Sequence, residues 1–258
     1  TRQNIERFNQ PTQLFNQQVV DITGQDVWDN AFYADTLEDA RLEYVESEEI
    51  TSYEVGYRYN SNNFTLDFNA YYSQYENYIG TDYVLVTPFE TTTTQEKIDA
   101  LQTGSVTEFG VDANLDTKFN TMGVSLEAIQ RLNSSTTMNF IYEYNELDYK
   151  SAEDSTFELS WNTPKHRMKF GFTSKLGGGA TLSANARYNS EYYYESSFID
   201  ATIRENTVFD AKLMFGIKAL DNLQFEVGGN NIAGREYVSI PGSGNIGSLY
   251  YAGAKMQF

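Results

Sequence analysis

One side chain in this sequence could act as a general acid or base near neutral pH, the single histidine His166. A general base needs a partner group within hydrogen-bond reach, and the sequence shows no signature of a nucleophile with an orienting group. The chain has no cysteine, which excludes thiol catalysis and cysteine-bound zinc. We therefore expect a structural role for His166 and no enzymatic activity.

Carboxylates are the second group with possible chemistry, because they cluster in two segments. Carboxylate oxygens are the ligands that Ca²⁺ prefers, but no Asp-x-Asp-x-Asp-Gly loop accompanies them. We expect solvated surface loops and no resident cofactor, with Ca²⁺ as the one ion that these acidic loops would suit. The clustered residues are Asp26, Asp29, Asp35, Glu38, Asp39, Glu43, Glu46, Glu48 and Glu49, and then Glu153, Asp154 and Glu158.

The overall charge excludes one large class of partners. The chain has 36 acidic and 18 basic residues, a formal net charge of −18 and a pI near 4.3, so it repels phosphate backbones and no nucleic-acid partner is expected. No segment approaches the ~18 consecutive apolar residues of a membrane helix. The length of 258 residues fits one large domain or two small ones.

The elements that must position these side chains are strands, because apolar and polar residues alternate with a period of two in many segments. Most of these segments reach the ~9–11 residues of a tilted membrane strand, whereas soluble strands usually have ~5–6 residues. Six clear segments and three weaker ones predict about nine strands. They are residues 64–73, 138–145, 180–189, 209–218, 223–227 and 250–258, and the weaker 53–59, 124–132 and 168–172.

The connections between these strands alternate between short turns and longer polar stretches. The turns lie at residues 60–63, 133–135, 177–179 and 220–222, and the longer stretches at 80–123, 146–164, 191–206 and 237–247. This asymmetry is typical of an outer-membrane barrel. We predict an all-β fold, an antiparallel transmembrane β-barrel with long extracellular loops and short periplasmic turns. Aromatic strand ends such as Tyr188 and residues 192–194 would form its interfacial girdles.

Side chains of two kinds could contact other molecules in such a barrel. Five loop aromatics could stack on a ligand, although girdle or loop-packing roles fit them equally well. They are Tyr83, Phe89, Tyr192, Tyr193 and Phe198. Charged residues on the polar side of the strands would face the interior, in contact with one another or with a domain inside the barrel. They are Asp67, Glu143, Arg187, Asp210, Lys212, Lys218, Glu226 and Lys255.

A soluble β-sandwich is the alternative, because a sheet with one buried face produces the same alternation. Against it stands the composition of the apolar face, in which Ala184, Ala186, Ala252 and Ala254 accompany Phe and Tyr. A sandwich core would contain more Val, Ile and Leu. The transmembrane barrel is therefore favoured.

Several motifs resemble TonB-dependent outer-membrane receptors over most of the chain. Gly-Asn-Asn-Ile-Ala-Gly-Arg-Glu-Tyr at 229–237, with 247–253 and the terminal Phe258, is similar to the family's closing strands. Residues 48–57 resemble the family's acidic, Ser-rich segment that leads into a strand with Tyr-Glu-x-Gly. Residues 66–79 resemble the strand that follows it. Asn-Thr-Pro-Lys-His at 162–166 and the Pro-containing segment 10–15 also agree, in the family's order.

The resemblance implies that this chain supplies about nine C-terminal strands of a roughly 22-stranded barrel. Residues 1–47 would be mainly an extracellular loop and 48–258 the barrel strands with their loops, while the plug domain would lie outside this chain. The family imports a scarce nutrient such as an iron chelate, a cobalamin or an oligosaccharide. Its barrel-assembly signal would correspond to Tyr250, Ala252, Met256 and Phe258.

The partners and location follow from the same resemblance. They are outer-membrane lipid and lipopolysaccharide, the plug and the remaining strands, the TonB complex through the plug, and in some receptors a surface lipoprotein, all in the outer membrane of a diderm bacterium. Asn231-Ile232-Ala233-Gly234 departs from the family's Asn-Leu-Phe-Asp, and the strand register stays open between Gly104 and Met122. A small self-contained barrel acting as an adhesin or enzyme is a further alternative, although nine is an odd strand count for a closed barrel.

Overall fold

A computed structural model gives the fold and describes residues 30–34, 36–40, 45–87, 92–115, 118–149, 159–196, 199–217 and 223–256. The chain divides into two compact units. The first comprises Thr1–Thr51, Ser73–Asn120 and Asp148–Ser160, and the second Ser52–Tyr72, Thr121–Leu147 and Trp161–Phe258. The expected division at residue 47 stays a prediction, because most of residues 1–47 lie outside the described ranges.

Strands make up most of the described residues. They are β1 (Ala31–Phe32), β2 (Glu49–Asn60), β3 (Phe64–Glu76), β4 (Ile79–Val86), β5 (Thr107–Asn114), β6 (Phe119–Arg131), β7 (Thr136–Asp148), β8 (His166–Lys175), β9 (Thr181–Asn189), β10 (Tyr192–Tyr194), β11 (Ala201–Ile203), β12 (Asn206–Gly216), β13 (Leu223–Asn230) and β14 (Leu249–Met256). Helix α1 (Thr94–Thr103) lies between β4 and β5. Within the described ranges, no helix combines the length and the apolar character needed to cross a membrane.

Nine strands form one sheet in the order β14-β13-β12-β9-β8-β7-β6-β3-β2. These are the nine strands that the alternating segments predicted, and their lengths run from 8 to 13 residues. Each neighbouring pair from β7 to β14 is antiparallel. The prediction of an antiparallel all-β fold with nine long strands is thus confirmed.

The register explains the small and aromatic composition of the apolar face. Ala186 of β9 lies opposite Phe170 of β8 on one side and opposite Phe209 of β12 on the other. Because directly opposed Cβ atoms are about 4.5–5.5 Å apart, a small residue leaves room for the two rings that flank it. The alternation of sizes therefore fits the packing within one sheet.

The apolar face of this sheet is half-buried to exposed, with its most exposed residues on the edge strands. On β2, Tyr53 and Val55 are each 63% exposed, and Phe170 and Phe209 are 40% and 44% exposed. Two facing sheets would bury such residues in a core. A lipid-facing surface of a membrane barrel leaves them outside the protein. The exposure therefore favours the barrel over the soluble sandwich.

Three of the predicted short turns fall within the described residues. In the turn after β2, the backbone N–H of Phe64 donates to Ser61 Oγ at 3.1 Å, and in the next the N–H of Ser135 donates to Asn133 Oδ1 at 2.8 Å. These side-chain bonds mimic a backbone turn. Residues 177–179 form a 3₁₀ turn with positive φ at Gly178 and Gly179. The turn predicted at 220–222 lies outside the described residues.

Charged residues on the polar side of the sheet pair with one another. Arg58 pairs with Asp67, the guanidinium of Arg167 lies 3.8 Å from the Glu143 carboxylate, and Arg187 lies 3.0 Å from Asp210. Arg187 is opposite Val208 in the register, so it reaches diagonally to Asp210. Contact among the predicted interior charges was expected, and the pair of Arg187 with Asp210 is one such contact. Asp67 and Glu143 pair instead with arginines that were not among the predicted charges. Of the other predicted charges, Lys218 lies outside the described residues.

The first unit contains a separate three-stranded sheet in the order β1-β4-β5. Its core consists of Ala31, Val84, Val86 and Val111, all at most 7% exposed. The alternation of polar and apolar residues predicts a long connection over residues 80–123, whereas the structure places most of β4, all of β5 and α1 in that segment. Tyr83-Val84-Leu85-Val86 is a continuous apolar run, which a search for period-two alternation does not detect.

Helix α1 has defined signals at both ends. A capping box closes its N-terminus, where the Thr93 hydroxyl accepts from the Glu96 N–H and the Glu96 carboxylate accepts from the Thr93 N–H. Gly104 ends the helix with a left-handed φ of 66°. Hydrogen bonds from the backbone and side chain of Thr93 hold the pKa of Glu96 below its ordinary value. The sequence pattern Thr-x-x-Glu was a signal for this helix.

Lys97 attaches α1 to the rest of the first unit. It is only 5% exposed, and its ammonium donates to the Leu37 carbonyl and to the Asp39 carboxylate, both at 2.7 Å. The same ammonium lies 5.6 Å from the centre of the buried Phe32 ring. A buried charge requires such partners, because desolvation is costly. The contacts of Lys97 therefore fix one face of α1.

Candidate ligand-binding site

A cavity of about 630 Å³ lies between two loops of the second unit. One loop leads through β11 into β12, and the other connects β13 to β14. The volume falls in the range of about 300–1,000 Å³ that is usual for small-molecule sites. The cavity is lined by residue 199, residues 201–207, residues 235–238, and residues 241, 242 and 245.

Asn231 organises the loop between β13 and β14. It is 2% exposed and has a left-handed φ of 52°. The side-chain amide of Asn231 donates to the backbone carbonyl of Arg235 at 2.7 Å, and the backbone carbonyl of Asn231 accepts from Ser248 Oγ at 2.7 Å. A bridge between Tyr237 and Ile246 closes the loop further along. These bonds hold the cavity wall that carries Arg235.

The opposite wall is held by a short hairpin. Strands β10 and β11 pair antiparallel, with Tyr193 opposite Thr202. Before the hairpin turn, the backbone of Glu195 exchanges two hydrogen bonds with the Asn162 side chain, at 2.7 and 2.8 Å. Reciprocal bonds of this kind satisfy the donor and the acceptor of one residue together. The segment that bears Arg204 is thereby connected to a defined framework.

Four charged residues line the cavity, namely Arg204, Glu205, Arg235 and Glu236. The Glu205 carboxylate accepts from the Tyr188 hydroxyl at 3.0 Å, and the Glu236 carboxylate accepts from Asn245 Nδ2 at 3.0 Å. Ile203, Val238 and Pro241 add apolar surface. A few polar groups on an apolar lining are what orient a bound small molecule.

The predicted loop aromatics do not line this cavity where the structure describes them. Tyr193 is exposed and Tyr192 is half-buried on β10, where burial raises the pKa of the Tyr192 hydroxyl. Tyr83 is half-buried on β4 in the first unit. Phe89 and Phe198 lie outside the described residues. A ligand-binding role for these five aromatics stays a prediction.

The sequence patterns did not indicate Arg204, Arg235, Glu236 and Tyr237 as cavity residues. The last three belong to the segment that resembles the family's closing strands. No periodic signal places loop residues, because loops lack a repeating geometry. A charged residue next to a strand end, such as Arg204 after β11, is the sequence feature that could have indicated this cavity.

His166 lies at the start of β8, next to two tyrosines, and its structural role stays a prediction. Its Nδ1 shares a hydrogen bond of 3.0 Å with the Tyr142 hydroxyl, and its ring lies 5.3 Å from the Tyr144 ring. The backbone N–H of His166 donates to Ser190 Oγ at 3.0 Å. Within the described residues, these contacts supply neighbours for packing and no activated nucleophile.

A smaller cavity of about 270 Å³ lies on the polar side of the second unit. Its lining includes Asn69, Tyr71, Glu143, Trp161 and Arg167. Glu143 and Arg167 already pair with each other across it. The charges of this cavity are therefore engaged within the protein.

The other predicted sites lie at the end of the sheet and in the acidic segments. Tyr250, Ala252 and Met256 are exposed on the edge strand β14, while Phe258 lies outside the described residues, so the assembly signal stays a prediction. In the described part of the chain, no group of three or more His, Asp or Glu side chains could hold a metal ion. Many of the clustered carboxylates lie outside that part.

Comparison with known proteins identifies the family. The profile of the family described as TonB dependent receptor-like, beta-barrel, matches residues 5–232. No curated protein matches the sequence. Among solved structures, the pyoverdine outer membrane receptor FpvA from Pseudomonas aeruginosa PAO1 is similar, with a TM-score of 0.58, 16% identity, and coverage of 91% of this chain and 32% of FpvA.

Two further receptors are similar in fold. The ferric-catecholate import receptor Fiu from E. coli K12 has a TM-score of 0.56 and 16% identity, and the match covers 82% of this chain and 28% of Fiu. The FrpB iron transporter from Neisseria meningitidis has a TM-score of 0.57 and 12% identity, with coverage of 84% and 31%.

These structural matches cover most of this chain but only part of each solved receptor. The chain spans about a third of the length of the solved receptors, 28–32% in these three. At these identities the structural likeness concerns the fold alone. The family profile, in contrast, covers most of the chain and agrees with its nine-stranded antiparallel sheet. The chain therefore belongs to the TonB-dependent receptor-like β-barrel family.

Proposed function

We propose that this chain forms part of an outer-membrane receptor that imports a scarce nutrient with energy from the TonB complex. The observation that carries the proposal is the exposed apolar face of a nine-stranded sheet in a member of this family. Such a face is suited to contact with lipid. The proposed nutrient is an iron chelate, a cobalamin or an oligosaccharide, and the proposed role is transport rather than bond chemistry.

The cavity between the β11–β12 and β13–β14 loops is the proposed site of nutrient capture. In a barrel whose short turns face the periplasm, both loops lie on the extracellular side. Capture by these loops would precede a rearrangement of the plug, which then opens a path through the barrel. Only the capture step involves residues of this chain.

The proposed partners follow from the same arrangement. The plug and the remaining strands complete the barrel, and the plug contacts the TonB complex. Divalent cations would connect the acidic loops to anionic lipopolysaccharide, with Ca²⁺ suited to their carboxylates. A surface lipoprotein is a further candidate partner on the extracellular side.

Nutrient uptake by cells tests the proposal. The full-length receptor is expressed in a diderm host that lacks its own receptors for iron chelates, cobalamin and oligosaccharides, with and without a functional TonB complex. We expect the receptor to restore growth on one of these limiting nutrients only when TonB is present. Growth that is restored equally without TonB, or on none of the three classes, would contradict the proposal.

A further inference from the structure

Two arginines of the large cavity lack an ionic partner within the described residues. Arg58, Arg167 and Arg187 each pair with a carboxylate on the polar side of the sheet. Arg204 and Arg235 line the cavity, and no carboxylate of the described residues lies within ion-pair distance of either. The chain has 36 acidic and only 18 basic residues, and two guanidiniums without an ionic partner among the described residues line this one cavity.

The carboxylates next to these arginines have other hydrogen-bond partners. Glu205 accepts from Tyr188, and Glu236 accepts from Asn245. Tyr188 and Asn245 therefore hold the two carboxylates by hydrogen bonds, and neither carboxylate forms an ion pair with Arg204 or Arg235. Among the described residues, the guanidinium groups of Arg204 and Arg235 have no carboxylate partner, and their N–H groups can donate to a bound molecule.

The backbone that carries each arginine is fixed. Arg204 follows β11 and precedes β12, and the Arg235 carbonyl accepts the Asn231 amide at 2.7 Å. A fixed backbone lowers the entropy lost when a side chain binds a ligand. Arginine also presents its N–H groups in a planar fork that matches the oxygens of a carboxylate.

We propose that this cavity binds a small polyanion through oxyanion oxygens held by Arg204 and Arg235. The apolar residues Ile203, Val238 and Pro241 would contact the body of the ligand. This inference rests on the proposed import function and narrows its substrate to an anionic class, such as a polycarboxylate or its metal chelate. Neutral nutrients such as uncharged oligosaccharides would not use this pair of arginines.

Binding of citrate to the full-length receptor in detergent tests the inference. Titration calorimetry compares citrate with its neutral trimethyl ester. We expect saturable binding of citrate, no binding of the ester, and weaker binding at higher salt. R204Q and R235Q should each weaken citrate binding about tenfold, because each removes a charge-assisted contact. R204K and R235K should keep part of the affinity.

Arg131 provides the matched control. It is exposed at the end of β6, does not line the cavity, and has no ion pair among the described residues. R131Q removes the same charge and should leave citrate affinity unchanged. Circular dichroism of each variant establishes that the strands are retained.

The outcomes separate this inference from the proposed function. Failure of citrate to bind the wild-type receptor, equal binding of the ester, or an equal effect of R131Q would overturn the inference, even where uptake depends on TonB. Arginine-dependent citrate binding without TonB-dependent growth on any nutrient would support the anion site and contradict the import function.

Discussion

The carboxylate of Asp210 accepts a hydrogen bond of 3.0 Å from the backbone N–H of Asn231, which begins the β13–β14 loop. The same carboxylate lies 3.0 Å from the Arg187 guanidinium on β9. Because Asn231 in turn holds the Arg235 carbonyl, Asp210 connects the polar side of the sheet to the wall of the large cavity. The position of that wall depends on a strand residue that does not line the cavity.

Replacing Asp210 with Ala should loosen the β13–β14 loop. The variant removes the acceptor for the Asn231 N–H and the partner of Arg187, and hydrogen bonds to charged groups contribute about 1.5–3 kcal/mol each. We expect limited proteolysis within residues 231–248 to become about tenfold faster. Asp67→Ala breaks the pair with Arg58 but no contact to this loop, so the cleavage rate there should not change. Equal rates in the two variants would contradict this role of Asp210.

Replacing Gly123 with Ala should destabilise the second unit. A Cβ atom at this position would overlap the ring of Tyr71 and approach the Tyr144 carbonyl oxygen to 2.9 Å. Overpacking of this kind costs about 1–3 kcal/mol. The free energy of unfolding, measured with urea in detergent, should fall by that amount.

Gly56 provides the control for this substitution. A Cβ atom there would meet the Phe68 carbonyl oxygen at 3.7 Å, which is an ordinary contact. We expect Gly56→Ala to change the free energy of unfolding little, and Tyr71→Ala to restore part of the loss when combined with Gly123→Ala. A Gly123→Ala variant as stable as Gly56→Ala would show that Tyr71 does not occupy this space.

The N-terminus of α1 should become less ordered in acid. The folded pKa of Glu96 is lowered by hydrogen bonds from Thr93, so its contribution is present above the unfolded pKa and is lost as the pH falls through the folded pKa. Hydrogen exchange of the α1 amides should therefore accelerate, beyond its intrinsic pH dependence, below the ordinary pKa of a glutamate. Glu96→Gln should remove this extra dependence, whereas Glu108→Gln on β5 should not.

Replacing Lys97 with Met should release α1 from the first unit. The variant leaves the Leu37 carbonyl without its donor and removes the cation over Phe32. An unsatisfied buried group costs about 1–3 kcal/mol. Protection of the α1 and β1 amides against hydrogen exchange should fall accordingly.

An exposed ion pair offers the comparison for Lys97. Lys118 pairs with Glu76 at 2.6 Å, but the two side chains are 69% and 45% exposed. Such pairs contribute about 0–1 kcal/mol, so Lys118→Met should have little effect on protection. Similar losses in both variants would mean that burial of Lys97 does not strengthen its contacts.

The sequence predicts the nine-stranded sheet because each of its strands has one polar and one apolar face. The short turns around Ser61 and Asn133 were also readable, since their residue types favour turns. In contrast, β4 is buried on both faces around Val84 and lacks the alternation. The helix α1 was missed although Thr93 and Glu96 carry a capping-box pattern.

The cavity could not be predicted in the same way. Its walls depend on contacts between residues far apart in the chain, such as Tyr188 with Glu205 and Asn162 with Glu195. Such contacts require the register of the sheet, which periodicity alone does not give. The residue type alone suggested the loop aromatics, whereas only the three-dimensional structure brings Arg204 and Arg235 to one cavity.

Strands β2 and β14 are the outer strands of the nine, and among the described strands neither has a second neighbour. In hydrocarbon, each backbone N–H or C=O without a partner costs several kcal/mol. Unpaired backbone groups along the two outer strands make an inserted sheet unfavourable in the membrane, however many strands it contains, until both outer strands are paired. Membrane insertion of this segment should therefore be cooperative and coupled to the pairing of a neighbouring strand with each border.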